Sequence, residues 1–246
     1  MLTFSVITIC RNAEKVIQST MQSVLEQSYE NIEYIVCDGN SSDNTMNIIS
    51  HISADYNRNI KVYCENDFGI YNAMNRGIAR VTGEYSIFMN AGDRFFDFDV
   101  IAKAARYIER KRKDIYFGKT QIVDEFDRIK SIEDFQKEFP VFMQGLFRGR
   151  MPCHQSIIAR TDCLQSHYFN EQYKYRADFE WLVSCCKRKK EMEALDFLIS
   201  VHDNTGLTSR IKTKSEMKKE TRQILEQYYP LWYKWQALKV SLFDNE

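Results

Sequence analysis

Short β-branched runs alternate with longer amphipathic stretches over about the first 110 residues. The run Thr3–Ile9 is typical of a strand, and apolar residues then recur from Val16 to Leu25 at helical spacing. Asn12 precedes that stretch and is a candidate for the helix N-cap. The same alternation predicts strands at residues 3–9, 33–37, 60–64 and 85–89, and helices at residues 13–28, 44–53, 69–80 and 100–110. This order favours an α/β fold in which helices cover a mostly parallel sheet.

The alternation becomes less regular after residue 110. It predicts strands at residues 114–118, 120–123 and 154–160, and helices at residues 179–187 and 210–242, the last interrupted at Pro230. We interpret residues 1–209 as one domain with two halves, a regular half at 1–110 and a mixed half at 111–209. Residues 210–246 form a C-terminal helical segment in this interpretation.

Composition and charge narrow the class of protein. The formal net charge of the 246 residues is zero, so the chain has no overall attraction to nucleic acid. The seven cysteines are odd in number and no pair has the spacing of a zinc site, which favours reduced thiols. The first residues lack the pattern of a signal peptide, and no apolar run approaches the ~20 residues of a membrane span. We therefore expect a cytoplasmic protein.

Polar residues follow each of the four strands predicted in the regular half. They are Arg11, Asp38, Asp67, Asn90 and Asp93. In a parallel sheet these groups lie on one rim, where open α/β sheets bind ligands. Carboxylates gathered there repel one another unless a cation or a donor-rich ligand lies between them. Ordinary polar turns are the alternative, with Asp38 in an Asx turn and Asp43 as the N-cap of the helix at residue 44.

Two common nucleotide-binding motifs are absent from the sequence. No Gly-Lys-Ser/Thr follows the first strand, and no G-x-G-x-x-G occurs. ATP hydrolysis by a P-loop and hydride transfer on a dinucleotide fold are therefore not supported.

Four blocks of sequence follow one another at residues 4–12, 38–45, 67–77 and 82–93. In order and spacing they resemble the blocks of family 2 glycosyltransferases with the GT-A fold, strongly to about residue 100 and more weakly to about residue 210. The resemblance implies a GT-A-type, Rossmann-like and mostly parallel sheet. It also implies an inverting transfer of a sugar from a nucleotide-sugar donor, UDP-linked on family grounds. The implied acceptor is a hydroxyl of a glycan or lipid-linked molecule in bacterial polysaccharide biosynthesis.

The resemblance assigns the half at 1–110 to the nucleotide-sugar donor. In the family, the first two blocks grip the nucleotide and the third closes over the donor sugar. The matching residues here are Thr8, Arg11, Asp38, Asp67, Asn75, Arg76 and Asn90. Asn90-Ala-Gly-Asp93 resembles the family's metal-binding D-x-D motif but lacks its first acid. Asp93 is therefore the expected ligand of a divalent metal, Mg²⁺ or Mn²⁺.

The half at 111–209 carries the catalytic and acceptor residues that the resemblance implies. Asp178 matches the family's general base, and Glu180 is a second candidate. His154 is expected to contact the acceptor or the diphosphate, and His202, in a late loop, to reach the diphosphate or the metal. Residue chemistry alone also allows plainer roles. An acidic residue in the first turn of a helix is favoured by the helix dipole, and a His beside a strand is often only hydrogen-bonded.

The segment 210–246 places basic residues before a dense run of Trp, Tyr and aliphatic residues. This combination suits the interface of the cytoplasmic membrane, where a lipid-linked acceptor is presented. Packing of a helix on the core and a homodimer contact are the alternatives that the sequence leaves open.

Two other classes of protein also stay open. A nucleotidyltransferase is α/β and metal-dependent, but its first loop is usually rich in glycine, unlike Cys10–Asn12. A catalytically inactive nucleotide- or glycan-binding module would explain the incomplete D-x-D motif but not the match at Asp178.

Overall fold

The computed structural model describes residues 1–56, 58–135, 142–203 and 211–231, without the side chains of residue 142 and residues 211–213. Its strands are β1 (Phe4–Cys10), β2 (Ile32–Asp38), β3 (Ile60–Cys64), β4 (Tyr85–Phe88), β5 (Arg94–Phe95), β6 (Ile115–Val123), β7 (Ile129–Glu133), β8 (Ile157–Arg160) and β9 (Met192–Asp203). Its helices are α1 (Ile17–Leu25), α2 (Thr45–Asp55), α3 (Ile70–Ile78), α4 (Val100–Lys111), α5 (Phe142–Phe147), α6 (Thr161–Gln165), α7 (Ala177–Lys187) and α8 (Ile211–Tyr228). A 3₁₀ turn covers His154–Ser156.

The strands of the described residues form one sheet in the order β3-β2-β1-β4-β8-β6-β9-β5, and β7 also pairs with β6. β3, β2, β1 and β4 are parallel, which confirms the fold predicted for the first half. β8 runs antiparallel between β4 and β6, and β9 is parallel to β6. The sheet therefore continues from the regular half into the mixed half. The domain boundary expected at residue 209 stays a prediction.

Helices cover both faces of the parallel strands, so side chains on both faces are buried. Ile7 and Ile35 belong to one apolar cluster, which includes residues of α3 and α7. Val6 and Tyr34 belong to the other, which includes residues of α1, α2 and α4. All seven residues of β1 are buried. This double cover explains why apolar and polar residues do not alternate along β1.

The loops after β1 and β2 differ from the prediction. α1 begins at Ile17, so the assignment of Asn12 as its N-cap was wrong. Asn12 instead has a left-handed backbone (φ 51°), and its side-chain oxygen accepts the N–H of Ser42 at 2.9 Å. The N-cap of α2 is Asn44 rather than Asp43, although the Asp43 carboxylate accepts the N–H of Thr45 at 3.0 Å. These polar side chains join two neighbouring loops, a tertiary role that helix spacing does not reveal.

The second half contains two strands that the sequence pattern did not predict, β7 and β9. β9 pairs with β6 through two register shifts, and these shifts interrupt the alternation expected of a strand. β6 is continuous where two strands were predicted. Position 118, inside β6, is occupied by glycine because a Cβ there would lie 2.7 Å from the Ile199 side chain.

The C-terminal segment is described only in part. α8 ends at Tyr228, in agreement with the interruption expected at Pro230, and it buries Ile224 and Leu225. Residues 232–246, with most of the aromatic run, lie outside the described residues. Among the helices that the structure describes, none has the length and apolarity needed to cross a bilayer.

Glu33 is a buried carboxylate that links β2 to its neighbours. It accepts hydrogen bonds from Ser5 Oγ at 2.5 Å, Lys61 Nζ at 2.7 Å and the Thr82 N–H at 2.8 Å. Burial alone would raise the pKa of Glu33, but the hydrogen bonds from Lys61, Ser5 and Thr82 outweigh burial and lower the pKa to about 2. The ionised form of Glu33 therefore stabilises the parallel half of the sheet.

The variant Glu33→Gln is expected to lose about 2–3 kcal/mol of unfolding free energy at pH 7, because charge-assisted hydrogen bonds disappear. In the wild-type protein the contribution of Glu33 is complete above its unfolded pKa of 4.5 and is lost as the pH falls towards 2. Urea unfolding at pH 7 and pH 3 measures both effects. Glu30→Gln, in the exposed loop before β2, is the control. A Glu33→Gln protein as stable as wild type at pH 7 would contradict this account.

Candidate functional site

The carboxyl ends of the parallel strands meet at one edge of the sheet, which we call the rim. Cys10 of β1 pairs with Asp38 of β2, and Asp38 pairs with Cys64 of β3. Beyond the strands, the Gly39 N–H donates to the Cys10 carbonyl at 2.8 Å. The side chain of Asp38 is only 2% exposed. The rim that the sequence predicted is therefore formed, with a buried carboxylate at its centre.

The carboxylate of Asp38 accepts hydrogen bonds from three neighbours. Ser41 donates from its backbone at 2.8 Å and from its hydroxyl at 2.5 Å. The thiols of Cys10 and Cys64 approach at 3.5 and 3.4 Å. Burial, together with the Asp38 carboxylate, raises the pKa of both thiols, so each stays protonated and can donate. Asp38 is at the rim as predicted, and its carboxylate accepts the N–H three residues on rather than two residues on as in an Asx turn.

The loop that follows β3 packs closely against the loop that follows β2. A Cβ on Gly39 would lie 2.1 Å from Asp67 Oδ2, so only glycine leaves room for the Asp67 carboxylate. Asp67 lies 3.8 Å from the guanidinium of Arg11, which is well exposed. Asp38, Gly39, Asp67 and Arg76 border one small cavity. The structure thus brings the candidate nucleotide residues of three strand ends together.

Other predicted donor residues are engaged with the protein itself. Thr8 is fully buried, and its hydroxyl donates to the carbonyl that follows β4 at 2.7 Å. The Asn75 amide donates to Glu171 Oε1 at 2.9 Å and links α3 to the segment before α7. Arg76 forms an ion pair with Glu65. Their contacts with a nucleotide stay predictions.

Asp93 lies in a polar cluster at the end of β4. It is 5% exposed, and Gln155 Nε2 donates to its Oδ2 at 2.6 Å. His202 Nδ1 lies 2.7 Å from its Oδ1. His202 was expected in a loop but belongs to β9. Burial would lower the pKa of His202, but the Asp93 carboxylate outweighs burial and raises it. Asp93 and His202 are therefore held in close contact at the rim.

His154 lies between Asn90 and Asp178, and so joins the rim to α7. The Asn90 amide and His154 Nε2 are 3.0 Å apart, and His154 Nδ1 lies 3.7 Å from Asp178 Oδ2. Burial lowers the pKa of His154, an effect that the Asp178 and Asp93 carboxylates only partly oppose. A neutral His154 that accepts at Nε2 carries its proton on Nδ1, the nitrogen that faces Asp178.

The two oxygens of the Asp178 carboxylate have different surroundings. Oδ1 accepts the hydroxyl of Tyr71 at 3.0 Å and the N–H of Phe179 at 2.8 Å. Burial and then the Asp178 charge raise the pKa of Tyr71, so its phenol stays a donor. Oδ2 is the oxygen on the His154 side. Asp178 thus has one oxygen fixed by the protein and one oriented towards the rim residues.

Glu180 lies away from this cluster, although it is only two residues from Asp178. Its side chain is 2% exposed and accepts a hydrogen bond from Tyr228 of α8. His167 Nε2 lies 3.4 Å from the same oxygen. Glu180 therefore connects α7 to α8, and the structure does not bring it to the rim.

Tyr71 and Gln155 belong to the site but were not among the predicted residues. Tyr71 occupies a buried position in the apolar pattern of α3, where a phenol has no distinctive spacing. Gln155 follows His154 directly, and this His-Gln pair was a signal that the sequence offered. Both were missed because their partners come from elements distant in sequence.

The donor atoms around Asp93 fit a metal that shares its coordination with a ligand. The Asn90 and Gln155 side-chain oxygens are buried without a hydrogen-bond partner among the described residues. Together with the Asp93 carboxylate and the His202 imidazole, they offer the oxygen-rich surroundings that Mg²⁺ and Mn²⁺ accept. Within the described ranges, no group of three or more His, Cys, Asp and Glu side chains could hold an ion. Phosphate oxygens of a ligand would have to supply the other positions.

Solved structures share this fold and carry nucleotide sugars. S. aureus TarS 1–349 in complex with UDP-GlcNAc superposes with a TM-score of 0.73 at 19% identity, over 92% of this chain and 71% of that one. The mannosyltransferase PcManGT from Pyrobaculum calidifontis, in complex with GDP-Man and Mn²⁺, superposes at 0.65 with 14% identity, over 97% and 64%. The chain spans 66% of the TarS 1–349 structure without a named ligand. The fold is that of GT-A glycosyltransferases.

Sequence comparison gives the family. The profile described as Glycosyl transferase family 2 matches residues 5–163, more than half of the chain, and the protein belongs to that family. It is 25% identical over 220 residues to a PGL/p-HBAD biosynthesis glycosyltransferase of Mycobacterium bovis, across 88% of this chain and 83% of that protein. It is 26% identical over 189 residues to an uncharacterized glycosyltransferase of Haemophilus influenzae, across 72% and 58%.

The variant Gly39→Ala is expected to weaken UDP binding roughly tenfold, equivalent to about 1.4 kcal/mol, because the new methyl group displaces Asp67. Stability should fall by less than about 1.5 kcal/mol, since the clash is with the end of a side chain. Calorimetric titration and urea unfolding measure the two effects.

Asp67→Ala is the matched control for this prediction. If Gly39→Ala acts through Asp67, the double variant binds UDP no more weakly than Asp67→Ala alone. Additive losses would mean that Gly39 acts by another route.

Proposed function

We propose that the protein transfers a sugar from a nucleotide-sugar donor, UDP-linked, to a hydroxyl of an acceptor, with inversion at the anomeric carbon. The acceptor is a glycan or a lipid-linked glycan of bacterial polysaccharide biosynthesis, and transfer takes place at the cytoplasmic side of the membrane. The observation that carries the proposal is the geometry of the Asp178 carboxylate, in which hydrogen bonds fix only one of the two oxygens. His154 lies between this carboxylate and the Asn90–Asp93 turn that follows β4.

The polar groups of the rim support the part of the proposal that concerns the nucleotide-sugar donor. Asp38 and Asp67 border one cavity, and Arg11 brings a positive charge to Asp67. Carboxylates accept hydrogen bonds from a nucleobase or ribose, and a guanidinium suits a diphosphate. The UDP-GlcNAc and GDP-Man named for the two structural neighbours are ligands of this kind.

The chemical step needs a base on the acceptor side. Oδ1 of Asp178 already accepts two hydrogen bonds, so Oδ2 is the atom that would take the proton of the acceptor hydroxyl. As the acceptor oxygen loses this proton, it would attack the anomeric carbon while the bond from that carbon to the nucleoside diphosphate breaks. A positioned general base contributes roughly 10²–10⁴-fold to such a step.

The negative charge that develops on the diphosphate falls near Asp93 in this proposal. A divalent ion, Mg²⁺ or Mn²⁺, would be held by Asp93 with the diphosphate and would neutralise that charge. Asn90 and His202 are the further side chains that could contact the ion or the phosphates. Neutral His154 adds no positive charge and keeps its Nδ1 proton directed at Asp178, which orients the base.

Asp178→Asn is expected to abolish both the transfer of the sugar and the slow hydrolysis of the donor, because an amide cannot take the proton. UDP affinity should stay within about twofold of wild type, since Asp178 lies outside the donor cavity. Incubation with a panel of nucleotide sugars, with released nucleoside diphosphate as the readout, measures the first effect, and titration with UDP measures the second.

Glu180→Gln is the matched control for Asp178→Asn, two residues along the same helix. Its carboxylate faces Tyr228 and His167, so stability should fall while turnover per folded molecule persists. Loss of turnover in Glu180→Gln with full turnover in Asp178→Asn would assign the base to Glu180.

Tyr71→Phe is expected to lower kcat about tenfold with little change in the KM for the donor, because Asp178 loses one of the two hydrogen bonds that fix its position. Steady-state kinetics of both proteins measures kcat and the KM. An unchanged kcat would remove Tyr71 from the mechanism.

A further inference from the structure

A basic groove lies between the end of α5 and the side of α8. It has a volume of about 420 Å³, within the range of ligand sites. The basic residues that line it are Arg148, Arg176, Lys214, Lys218 and Arg222, and no acidic residue is among the lining residues that the structure describes. Phe147, Met217 and Leu225 supply an apolar wall. The groove therefore combines concentrated positive charge with apolar surface.

Most of this positive charge has no counter-charge in the described part of the chain. Arg148, Lys214 and Lys218 form no ion pair there with any carboxylate. Arg222 does pair with Glu226, at 3.0 Å. Like charges gathered around one groove repel one another, and an anionic ligand would relieve that repulsion.

Arg176 is the most unusual member because it is buried, at 8% exposure. Its guanidinium donates to Thr221 Oγ1 at 3.2 Å and to the Gly149 carbonyl, and it lies over the Phe179 ring at 4.3 Å. It forms no ion pair with a carboxylate of the described residues. Burial lowers the pKa of Arg176, and the Asp178 and Glu220 carboxylates only partly oppose this effect. A buried guanidinium whose desolvation is not fully compensated is unfavourable, which marks this position as a place for a further negatively charged group.

Arg176 and Gly149 also border a second cavity, of about 510 Å³. This cavity is lined by polar residues such as Thr120 and Glu133, and it reaches Cys153, the neighbour of His154. Arg176 itself is two residues before Asp178. Asp178 lines a smaller pocket together with His154 and Met151, and Met151 also borders the larger cavity. Arg176 therefore joins the groove to the polar cavity, and Met151 joins that cavity to the pocket of the candidate base.

We propose that the acceptor is a sugar linked through phosphate to an apolar chain, and that its phosphate binds in the basic groove. The sugar would occupy the second cavity, where hydroxyl groups meet polar side chains, and would present its hydroxyl to Asp178. The apolar chain would follow Phe147, Met217 and Leu225. This inference rests on the proposed function, because it names the acceptor of the same reaction.

Charge and apolar surface together distinguish this ligand from simpler ones. Inorganic phosphate would use the cations but not the apolar wall, and an uncharged lipid would give Arg148 and Lys218 no anionic partner. The geometry therefore favours a phosphate and an apolar chain in one molecule.

The test measures binding of farnesyl diphosphate to the full chain, with saturating UDP and Mg²⁺ so that the donor site is already filled. Farnesol and inorganic pyrophosphate are the comparison probes. Farnesyl diphosphate is expected to bind at least about tenfold more tightly than either, because only it uses both parts of the groove. Equal affinity of farnesyl diphosphate and pyrophosphate would overturn the proposal and leave only a general anion site.

Lys218→Glu and Lys219→Glu form a matched pair on α8, since Lys218 lines the groove and its neighbour Lys219 does not. Lys218→Glu should weaken farnesyl diphosphate binding at least fivefold, about the effect of one charge beside a phosphate surface, and Lys219→Glu less than twofold. Equal effects of the two variants would overturn the proposal.

Binding to vesicles of phosphatidylglycerol distinguishes an acceptor site from a surface that contacts the membrane. Vesicle binding that depends on Lys218, without measurable binding of farnesyl diphosphate, would make the groove a membrane contact and overturn the proposal. Because none of these measurements requires turnover, a failure here leaves nucleotide-sugar hydrolysis as a separate test of the proposed function.

Discussion

The parallel pairing of β1 with β2 and β4 is the constraint on which the rest of the site depends. It brings the carboxyl ends of these strands to one rim, so that Asp38 and the Asn90–Asp93 turn, distant in sequence, share one edge. Burial of the strands on both faces fixes their register, because a slip by one residue would reverse every side chain. The polar ends are therefore held in place by an apolar core that contains none of them.

The second constraint is the join between the two halves of the sheet. β8 adds to β4 in the antiparallel direction, and the 3₁₀ turn before it carries His154 and Gln155 to the rim. Gln155 holds Asp93, and His154 lies between Asn90 and Asp178. Donor-side and acceptor-side residues thus meet through the hydrogen bonds of Gln155 and Asn90 and the 3.7 Å approach of His154 to Asp178. In the proposed reaction these contacts set the base opposite the departing diphosphate, and the basic groove extends the acceptor side beyond Arg176.

Local pattern was enough to predict the parallel half, because the strands there are short runs rich in β-branched and aromatic residues and each helix has one apolar face. It failed where tertiary contacts decide the structure. Asn12 was predicted to be an N-cap, but its side chain joins two loops. In β9 the register shifts against β6 interrupt the alternation of apolar and polar residues by which a strand is predicted. In the site, carboxylates at strand ends were predictable from sequence, whereas Tyr71 was not, since only the approach of α3 to α7 gives its hydroxyl a partner. Glu180 shows the converse, because its proximity to Asp178 in sequence does not bring it to the rim.

A crystal structure of the full chain with UDP and Mn²⁺ would test the central claim most directly. The account predicts the uridine at the cavity bordered by Asp38 and Asp67, and the diphosphate beside Asp93 with one Mn²⁺ identified by its anomalous signal. It also predicts that Asp178 Oδ2 stays open towards the space above the diphosphate. Density for UDP elsewhere on the protein, or Mn²⁺ bound away from Asp93, would contradict it.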